Sequence, residues 1–272
     1  IDFKRPDLVI KKILRSSISD LICKGVKPKY YFIAGSGNKK NFTKNNLKKI
    51  SNSLREEQKK YDLLLGGGDT TFSNKLSFTI TSVGYSKKII YRNQSNVNND
   101  IYVTGNLGDS FIGLQILKNK IKLNKSKTKY FINKYYMPDI QNKFSKNLLS
   151  LATSSMDISD GLIADLNKLI NKQNVSYKIY EKSIPVSRNL NNLINSKNLN
   201  KIDLVSNGDD YQILFTAKPN NARIINKLSK SLGVKISKIG TILSGKNKSL
   251  ILDQKGREIA NNVSGYVHQF WS

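Results

Sequence analysis

The sequence is short of the residues on which much protein chemistry depends, with one cysteine (Cys23) and one histidine (His268) among 272 residues. A single cysteine excludes an intramolecular disulfide, so a reducing, cytoplasmic setting is expected. The same scarcity excludes zinc sites made of several His or Cys side chains and helices of the H-E-x-x-H metalloprotease type. No apolar run approaches the roughly 18–20 residues of a membrane helix, and no signal peptide is visible. We therefore expect no membrane partner.

Acidic residues are also scarce: 19 Asp and Glu stand against 46 Lys and Arg, a formal net charge of +27. Such a charge is typical of nucleic-acid-binding proteins. Here, however, the excess is mostly lysine spread through every segment, while arginine, the better reader of phosphates and bases, is rare. We therefore expect no nucleic-acid partner. We interpret the lysines as covering solvent-exposed faces, where their charge raises the local concentration of small anionic substrates. A basic nucleic-acid-binding module is the alternative.

Hydrophobic periodicity predicts a mixture of helices and strands typical of an α+β fold. The expected helices cover 7–25, 41–60, 109–117, 127–136, 140–151, 161–170 and 222–232, and the expected strands 30–35, 62–65, 76–85, 88–91, 101–104, 175–180, 211–216, 235–243 and 250–253. The polar segment 93–100, rich in asparagine and serine, is the best linker candidate. We predict two domains, 1–95 and 96–272.

The first motif that indicates chemistry is the segment 66–71 (GGGDTT), predicted to be a turn after a buried strand. Its three glycines permit positive φ and close backbone approach, so that amide N–H groups can reach a phosphate. Asp69 adds a hard oxygen ligand of the kind that Mg²⁺ takes together with phosphate oxygens. The alternative, a plain tight turn capped by Asp and Thr, carries about equal weight.

The second motif, 156–162 (MDISDGL), lies at a predicted strand-to-helix junction. Asp157 and Asp160 are three residues apart, so both carboxylates can face one point above the helix N-terminus, where they repel unless a cation lies between them or one is protonated. Ser159 and the helix N-terminus would offer donors to a phosphate. The alternative is an ordinary N-cap by Ser159 or Asp160.

Two weaker motifs complete the set. The segment 17–20 (SISD), which contains Asp20, reads in isolation as a polar patch on a helix, and 207–211 (NGDDY) as a hairpin turn before an apolar strand. Together the motifs place aspartates on glycine turns with no pairing of a base and a nucleophile. That combination suits metal-assisted phosphoryl transfer, in which positioning and charge neutralisation do most of the catalysis.

In this order the motifs resemble those of the thiamine-monophosphate kinases, a family of the aminoimidazole ribonucleotide synthetase superfamily. The segments that carry the resemblance are 67–71 (GGDTT), 102–105 (YVTG), 107–110 (LGDS), 157–162 (DISDGL), 208–211 (GDDY) and the C-terminal 265–270 (GYVHQF). The resemblance covers nearly the whole chain, and GGDTT followed by DISDGL is specific.

The resemblance implies ATP-dependent phosphorylation of thiamine monophosphate to thiamine diphosphate, by direct in-line transfer with several Mg²⁺ ions. It also implies a two-domain, synthetase-like α+β fold: an N-terminal sheet domain that forms a homodimer and a C-terminal α/β sandwich. Matching motif positions assigns the metal to Asp20, Asp69, Asp157 and Asp160, the nucleotide to Gly68, Asp69, Arg92 and Ser159, and the substrate to Asp209 and Tyr266. An aromatic face such as that of Tyr266 suits a flat, cationic thiazolium ring.

The chain departs from the family pattern in places. The family's Asn-x-Ser-Asp is here 17–20 (SISD), and its Gly-Gly-Glu-Asp-Tyr-Glu is 207–212 (NGDDYQ), which makes the carboxylate at Asp209 one methylene shorter. The first residue is Ile1, and the family's N-terminal segment, with further metal ligands, is missing from this sequence. We therefore expect a fragment, weak or inactive as given. Another ATP-using member of the superfamily and a silent, dimerising paralogue are the alternatives.

Overall fold

The computed structural model describes residues 3–259 and residue 265. Two sheets organise the chain, one of three strands and one of six. In the described part no helix has the length and apolar character needed to cross a membrane. The predicted mixture of helices and strands is confirmed.

The three-stranded sheet and two helices occupy the first part of the chain. Their order is α1 (Pro6–Ile22), β1 (Lys27–Gly37), α2 (Lys44–Tyr61), β2 (Leu64–Phe72) and β3 (Ser77–Tyr85). The strand order is β2-β1-β3, with β1 parallel to β2 and antiparallel to β3. The edge strand β2 is exposed along almost its whole length.

Helix α1 forms because its sequence combines a favourable start with one continuous apolar stripe. Pro6 opens the helix, where its fixed φ is preorganised and its missing N–H costs nothing. Residues four apart share one face of a helix, and the fully or almost fully buried residues at this spacing are Ile10, Leu14, Ile18 and Ile22. The opposite edge of the same helix carries polar side chains.

The six-stranded sheet is formed by the later part of the chain and has the order β5-β7-β4-β8-β6-β9. Every pairing is antiparallel except β6 with β9. The elements are β4 (Asp100–Thr104), α3 (Asp109–Leu117), α4 (Lys125–Tyr136), α5 (Asn142–Leu151), β5 (Ala152–Asp157), α6 (Leu162–Ile170), β6 (Val175–Tyr180), α7 (Arg188–Lys197), α8 (Lys201–Val205), β7 (Ile213–Ala217), α9 (Ala222–Leu232), β8 (Ile236–Ser244) and β9 (Leu250–Leu252).

One apolar cluster joins the two parts of the chain. In it Ile18 and Ile22 of α1 pack in the same buried group as Phe144 of α5 and Phe215 of β7. Burial of a large apolar side chain contributes about 1.5–3 kcal/mol, so these contacts fix the position of α1 against the six-stranded sheet. As a consequence, the polar edge of α1 lies beside the end of β5.

Three sequence expectations about local structure are wrong. The segment 66–71 lies inside strand β2 and is not a turn, because parallel pairing with β1 supplies its backbone hydrogen bonds. The segment 88–91 forms no strand; only Ile90 is buried, and its amide N–H donates to the carbonyl of Lys24. Helices α7 and α8 were not expected, since their segments are dominated by asparagine and lysine.

Candidate active site

The candidate site is formed where two turns of the six-stranded domain dock on each other. The first turn follows β5 and leads through Gly161, at φ +120°, into α6. The amides of Asp160 and Gly161 both donate to Oδ2 of Asp165, at 2.9 and 3.1 Å. The Asp165 carboxylate, fully buried one turn into α6, therefore shapes the turn.

The second turn precedes β7 and lies directly on the first. The amide of Asp209 donates to the carbonyl of Ser159 at 2.8 Å, and the amide of Tyr211 donates to that of Ile158 at 2.8 Å. A Cβ on Gly208 would lie 2.2 Å from the Ser159 carbonyl oxygen, so only glycine permits this approach. The second turn is thus a docking turn and not the hairpin expected from its sequence.

Helix α1 brings a third group of side chains to these turns. Ser19 Oγ donates to Oδ2 of Asp157 at 2.6 Å, across 138 residues of sequence. Beside this contact lies an open cavity of about 440 Å³. Its lining combines four residues of α1, one of β3, the last residue of β5 and two of the turns: Ile13, Ser16, Ser17, Asp20, Ile80, Asp157, Ser159 and Tyr211.

The two aspartates of the cavity lie in an unfavourable electrostatic setting. Burial, followed by repulsion from Asp20, raises the pKa of Asp157 to about 7. Burial also raises the pKa of Asp20, an effect that the charges of Lys24 and Arg92 partly oppose. Among the described residues, no Lys or Arg forms an ion pair within 4.0 Å of either carboxylate. Two neighbouring acids without a cation therefore face one cavity.

These donors fit a divalent cation. Mg²⁺ takes one or two carboxylates and completes its octahedral shell with water and substrate phosphate oxygens. Asp20 and Asp157 supply two carboxylates, and Ser159 lines the same space. Within the described residues there is no group of three or more His, Cys, Asp or Glu side chains suited to a metal. The chain therefore offers a partial shell that a phosphate ligand would complete.

The expected four-aspartate cluster is only half assembled. Asp160 does not line the cavity and is ion-paired with Lys168. Asp69 is exposed in β2 and does not line it either, and its carboxylate accepts the N–H of Thr70 at 2.7 Å. Gly68 lies where a Cβ would be 1.9 Å from the carbonyl oxygen of Ile33, so close strand packing accounts for this glycine.

The remaining candidate residues fall in three settings. Ser159 lines the cavity. Arg92 is exposed, and its charge acts on Asp20. Asp209 is ion-paired with Lys12 at 2.7 Å. Tyr266 lies outside the described residues.

The structure places at the site several groups to which the sequence assigned no role. Tyr211 lines the cavity, and the ammonium of Lys24 donates to the Ser155 carbonyl at 2.6 Å, close to Asp157. Lys12, almost fully buried, contacts the docking turn. In a chain with so many lysines, nothing in the sequence distinguishes Lys12 or Lys24 from the rest. Tyr211 belongs to the 208–211 (GDDY) motif, but the motif assigned no role to it.

Comparison with known proteins agrees with this architecture. Residues 1–86 match the family model for the N-terminal domain of AIR synthase related proteins, and residues 96–253 match that for the C-terminal domain. The solved thiamine monophosphate kinase from Aquifex aeolicus has the same fold: TM-score 0.82, 23% identity, coverage of 94% of this chain and 83% of that one. A structure of AaThiL complexed with AMPPCP and TMP gives a TM-score of 0.83 at 23% identity, over 97% of this chain and 81% of that one.

The fold and the paired family models thus define an AIR synthase related protein. Among curated relatives, the thiamine-monophosphate kinase of Buchnera aphidicola subsp. Schizaphis graminum is 33% identical over 270 residues, which cover 96% of this chain and 80% of that protein. That of Haemophilus influenzae is 31% identical over 240 residues, 87% of this chain and 72% of that protein. The chain belongs to the thiamine-monophosphate kinase family, an enzyme family of the kinase class.

Proposed function

We propose that the protein transfers the terminal phosphoryl group of ATP to thiamine monophosphate and so forms thiamine diphosphate. The observation that carries the proposal is the cavity shared by Asp20, which is exposed, and Asp157, which is buried. Both carboxylates have raised pKa values and no ion-pair partner among the described residues. A site of this kind is suited to gathering the phosphates of a nucleotide around a cation. The likeness to a structure named as a complex with AMPPCP and TMP supports the choice of substrates.

Within this proposal, Asp20 and Asp157 would hold Mg²⁺, and Asp69 and Asp160 are further candidates by family resemblance. Mg²⁺, when bound, neutralises phosphate charge and orients the transferred group. Asp160 can join only if it gives up Lys168. Asp69 is exposed on strand β2, so its carboxylate is accessible to a ligand. Cytoplasmic location and the division at 95/96 remain part of the proposal.

The chain's own polar groups would then bind and orient the two substrates. Ser159 would donate its hydroxyl to a nucleotide phosphate, and the guanidinium of Arg92 would add charge on the same side as Asp20. Gly68 and Asp69 complete the proposed nucleotide contacts, and Asp209 and Tyr266 the proposed thiamine phosphate contacts. Direct in-line transfer from one substrate to the other would proceed without a phosphoenzyme.

We further propose a homodimer through the three-stranded sheet. The edge strand β2 is open, and Leu65 and Phe72 on it expose 48% and 77% of their surface. Phe32 on the neighbouring β1 exposes 44%. An exposed apolar edge of this length is an aggregation hazard unless another strand or chain covers it. A second copy of the chain is the partner that this surface fits.

A direct assay tests the function. The protein, expressed with any coding sequence upstream of Ile1, is incubated with ATP, Mg²⁺ and thiamine monophosphate, and thiamine diphosphate is measured by chromatography. Asp20→Asn removes one carboxylate from the cavity, and we expect about a 100-fold or greater loss of turnover. Asp62→Asn, at an exposed aspartate that pairs with Lys27, is the matched control and should retain activity. Absence of product from the wild-type protein would refute the kinase proposal, and normal turnover by Asp20→Asn would refute the metal assignment.

A further inference from the structure

Lys12 is almost fully buried beside the site, and its ammonium is surrounded by one carboxylate and two tyrosine rings. Its ammonium lies 2.7 Å from Oδ1 of Asp209. The same ammonium lies 4.4 Å from the ring centroid of Tyr135 and 4.7 Å from that of Tyr211. Only 8% of the lysine side chain is exposed. Cation–π contacts of this kind are stronger when the cation is desolvated, as it is here.

These contacts join three separate elements at the edge of the cavity. Lys12 belongs to α1, two turns before Asp20. Tyr135 lies in the last turn of α4, and Asp209 and Tyr211 belong to the docking turn. Tyr211 also lines the cavity itself, and its hydroxyl donates to Oδ1 of Asp209 at 3.1 Å. Lys12 is therefore the residue through which α1 contacts the docking turn, which forms one wall of the proposed active site.

The docking turn needs such a contact because its backbone is strained. Asp209 and Tyr211 both have left-handed conformations, with φ +65° and +51°. For residues other than glycine such conformations are unfavourable and persist only where surrounding contacts hold them. The amide bonds to Ser159 and Ile158 hold the backbone from one side. On the other side, Lys12 contacts the side chains of Asp209 and Tyr211.

We infer that Lys12 is a positioning residue of the active site: its ammonium sets the Tyr211 ring at the wall of the substrate cavity and the Asp209 carboxylate next to that ring. The inference deepens the proposed function and partly rests on it. It also assigns the pair of tyrosine rings to the chain's own cation, so that this pair does not hold the thiazolium. Asp209 keeps 29% of its side chain exposed and can meet a ligand while it remains bound to Lys12.

The first test does not depend on activity. In Lys12→Met, which keeps the length and loses the charge, amide hydrogen exchange is measured over 206–212 by mass spectrometry. We expect exchange there to accelerate about tenfold or more relative to the wild type, since the turn loses a contact that holds it. Lys11→Met is the matched control, because Lys11 is the neighbouring lysine of α1 but pairs with Glu56 away from the cavity. Equal protection of 206–212 in Lys12→Met and Lys11→Met would overturn the inference.

The second test is kinetic and separates positioning from a general loss of fold. We expect Lys12→Met to lower kcat/KM for thiamine monophosphate about 10- to 100-fold, as misplacement of a binding group does, while KM for ATP stays within about twofold. Lys12→Arg keeps a cation that stacks on aromatic rings and should recover part of the loss. Parallel loss for both substrates, with no recovery in Lys12→Arg, would also overturn the inference. A wild-type protein without kinase activity would refute the proposed function alone, because the exchange experiment still decides the role of Lys12.

Discussion

Asp157→Asn should stabilise the metal-free protein at alkaline pH. The substitution keeps the size of the side chain and an oxygen that can accept from Ser19, but removes the negative charge that faces Asp20. Burial and that neighbouring charge are the main causes that raise the pKa of Asp157 to about 7. The folded protein therefore pays for ionisation of this carboxyl, and asparagine removes the cost.

The size and sign of the effect follow from the difference in pKa between the two states. The pKa rises from 3.8 to about 7, or about 3 units, and one unit corresponds to about 1.36 kcal/mol, which gives at most about 4 kcal/mol. Because the folded pKa lies above the unfolded one, the folded state binds the extra proton between these values. The stability that the protonated Asp157 carboxyl contributes is thus fully present below about pH 4 and is lost as pH rises through about 7. At pH 8 Asp157→Asn should exceed the wild type by about 2–4 kcal/mol, and at pH 4 by almost nothing.

Urea denaturation of both proteins at several pH values, with a chelator present, measures this difference. Asp210, fully buried with its pKa raised by burial to about 8, titrates with the same sign, but its contribution cancels when the two proteins are compared. Asp62→Asn is the control and should show no such gain. Saturating Mg²⁺ should favour the wild type and narrow the gap, since binding at 100 times Kd contributes about 2.7 kcal/mol. A gap that is independent of pH, or one that Mg²⁺ widens, would refute the electrostatic reasoning.

Three further perturbations have definite expected outcomes. Arg15→Met should cost about 3–5 kcal/mol in urea denaturation, because it leaves Glu57 buried without the bidentate pair at 2.7 Å; the double variant with Glu57→Met should recover most of this, and additive losses would contradict the explanation. Gly68→Ala should lower stability by about 1–3 kcal/mol, since its Cβ would meet the Ile33 carbonyl, whereas Thr70→Ala on the same exposed strand should be near neutral. Glu in place of both Leu65 and Phe72 should halve the mass measured by light scattering without unfolding the chain, and a monomeric wild-type protein would refute the proposed dimer.

Local sequence patterns were sufficient to predict helices and strands whose ends are marked by residues of the same segment. Helices α3 and α9 and strand β6 begin and end at the residues expected for them. In α9 the apolar face recurs at helical spacing and Gly233 ends the helix at φ +63°. Helix α7 was missed although Ser187 caps it by accepting the Leu190 amide at 3.0 Å. Its apolar stripe is short and interrupted by asparagine, and this hid the cap.

Features that depend on residues distant in the chain could not be predicted from the sequence. Three consecutive glycines indicate a turn when read alone, but the parallel partner β1 turns the same segment into a strand. The site shows the same limit. Ser19 and Asp157 were each placed in a candidate motif, yet their contact depends on how α1 packs into the apolar cluster with Phe144 and Phe215. Lys12 could not be singled out, since its role comes wholly from two rings and a carboxylate supplied by other elements.

Because lysine is so abundant in this chain, the lack of an ion pair at the two acids of the cavity is informative. In a chain with 46 basic and 19 acidic residues, an accessible carboxylate readily finds an ammonium, as Asp62 does with Lys27 and Asp139 with Lys134. Surface pairs of this kind contribute little to stability, so their formation reflects abundance more than design. Asp20 and Asp157 remain without an ion pair in the described part of the chain, although Lys24 lies close enough to influence both. The ammonium of Lys24 is directed instead to the carbonyl of Ser155. The buried Asp157 and the neighbouring Asp20 therefore lack an ammonium partner although lysine is abundant in the chain. Their charge is left to be neutralised by a ligand, as a magnesium–nucleotide complex would do.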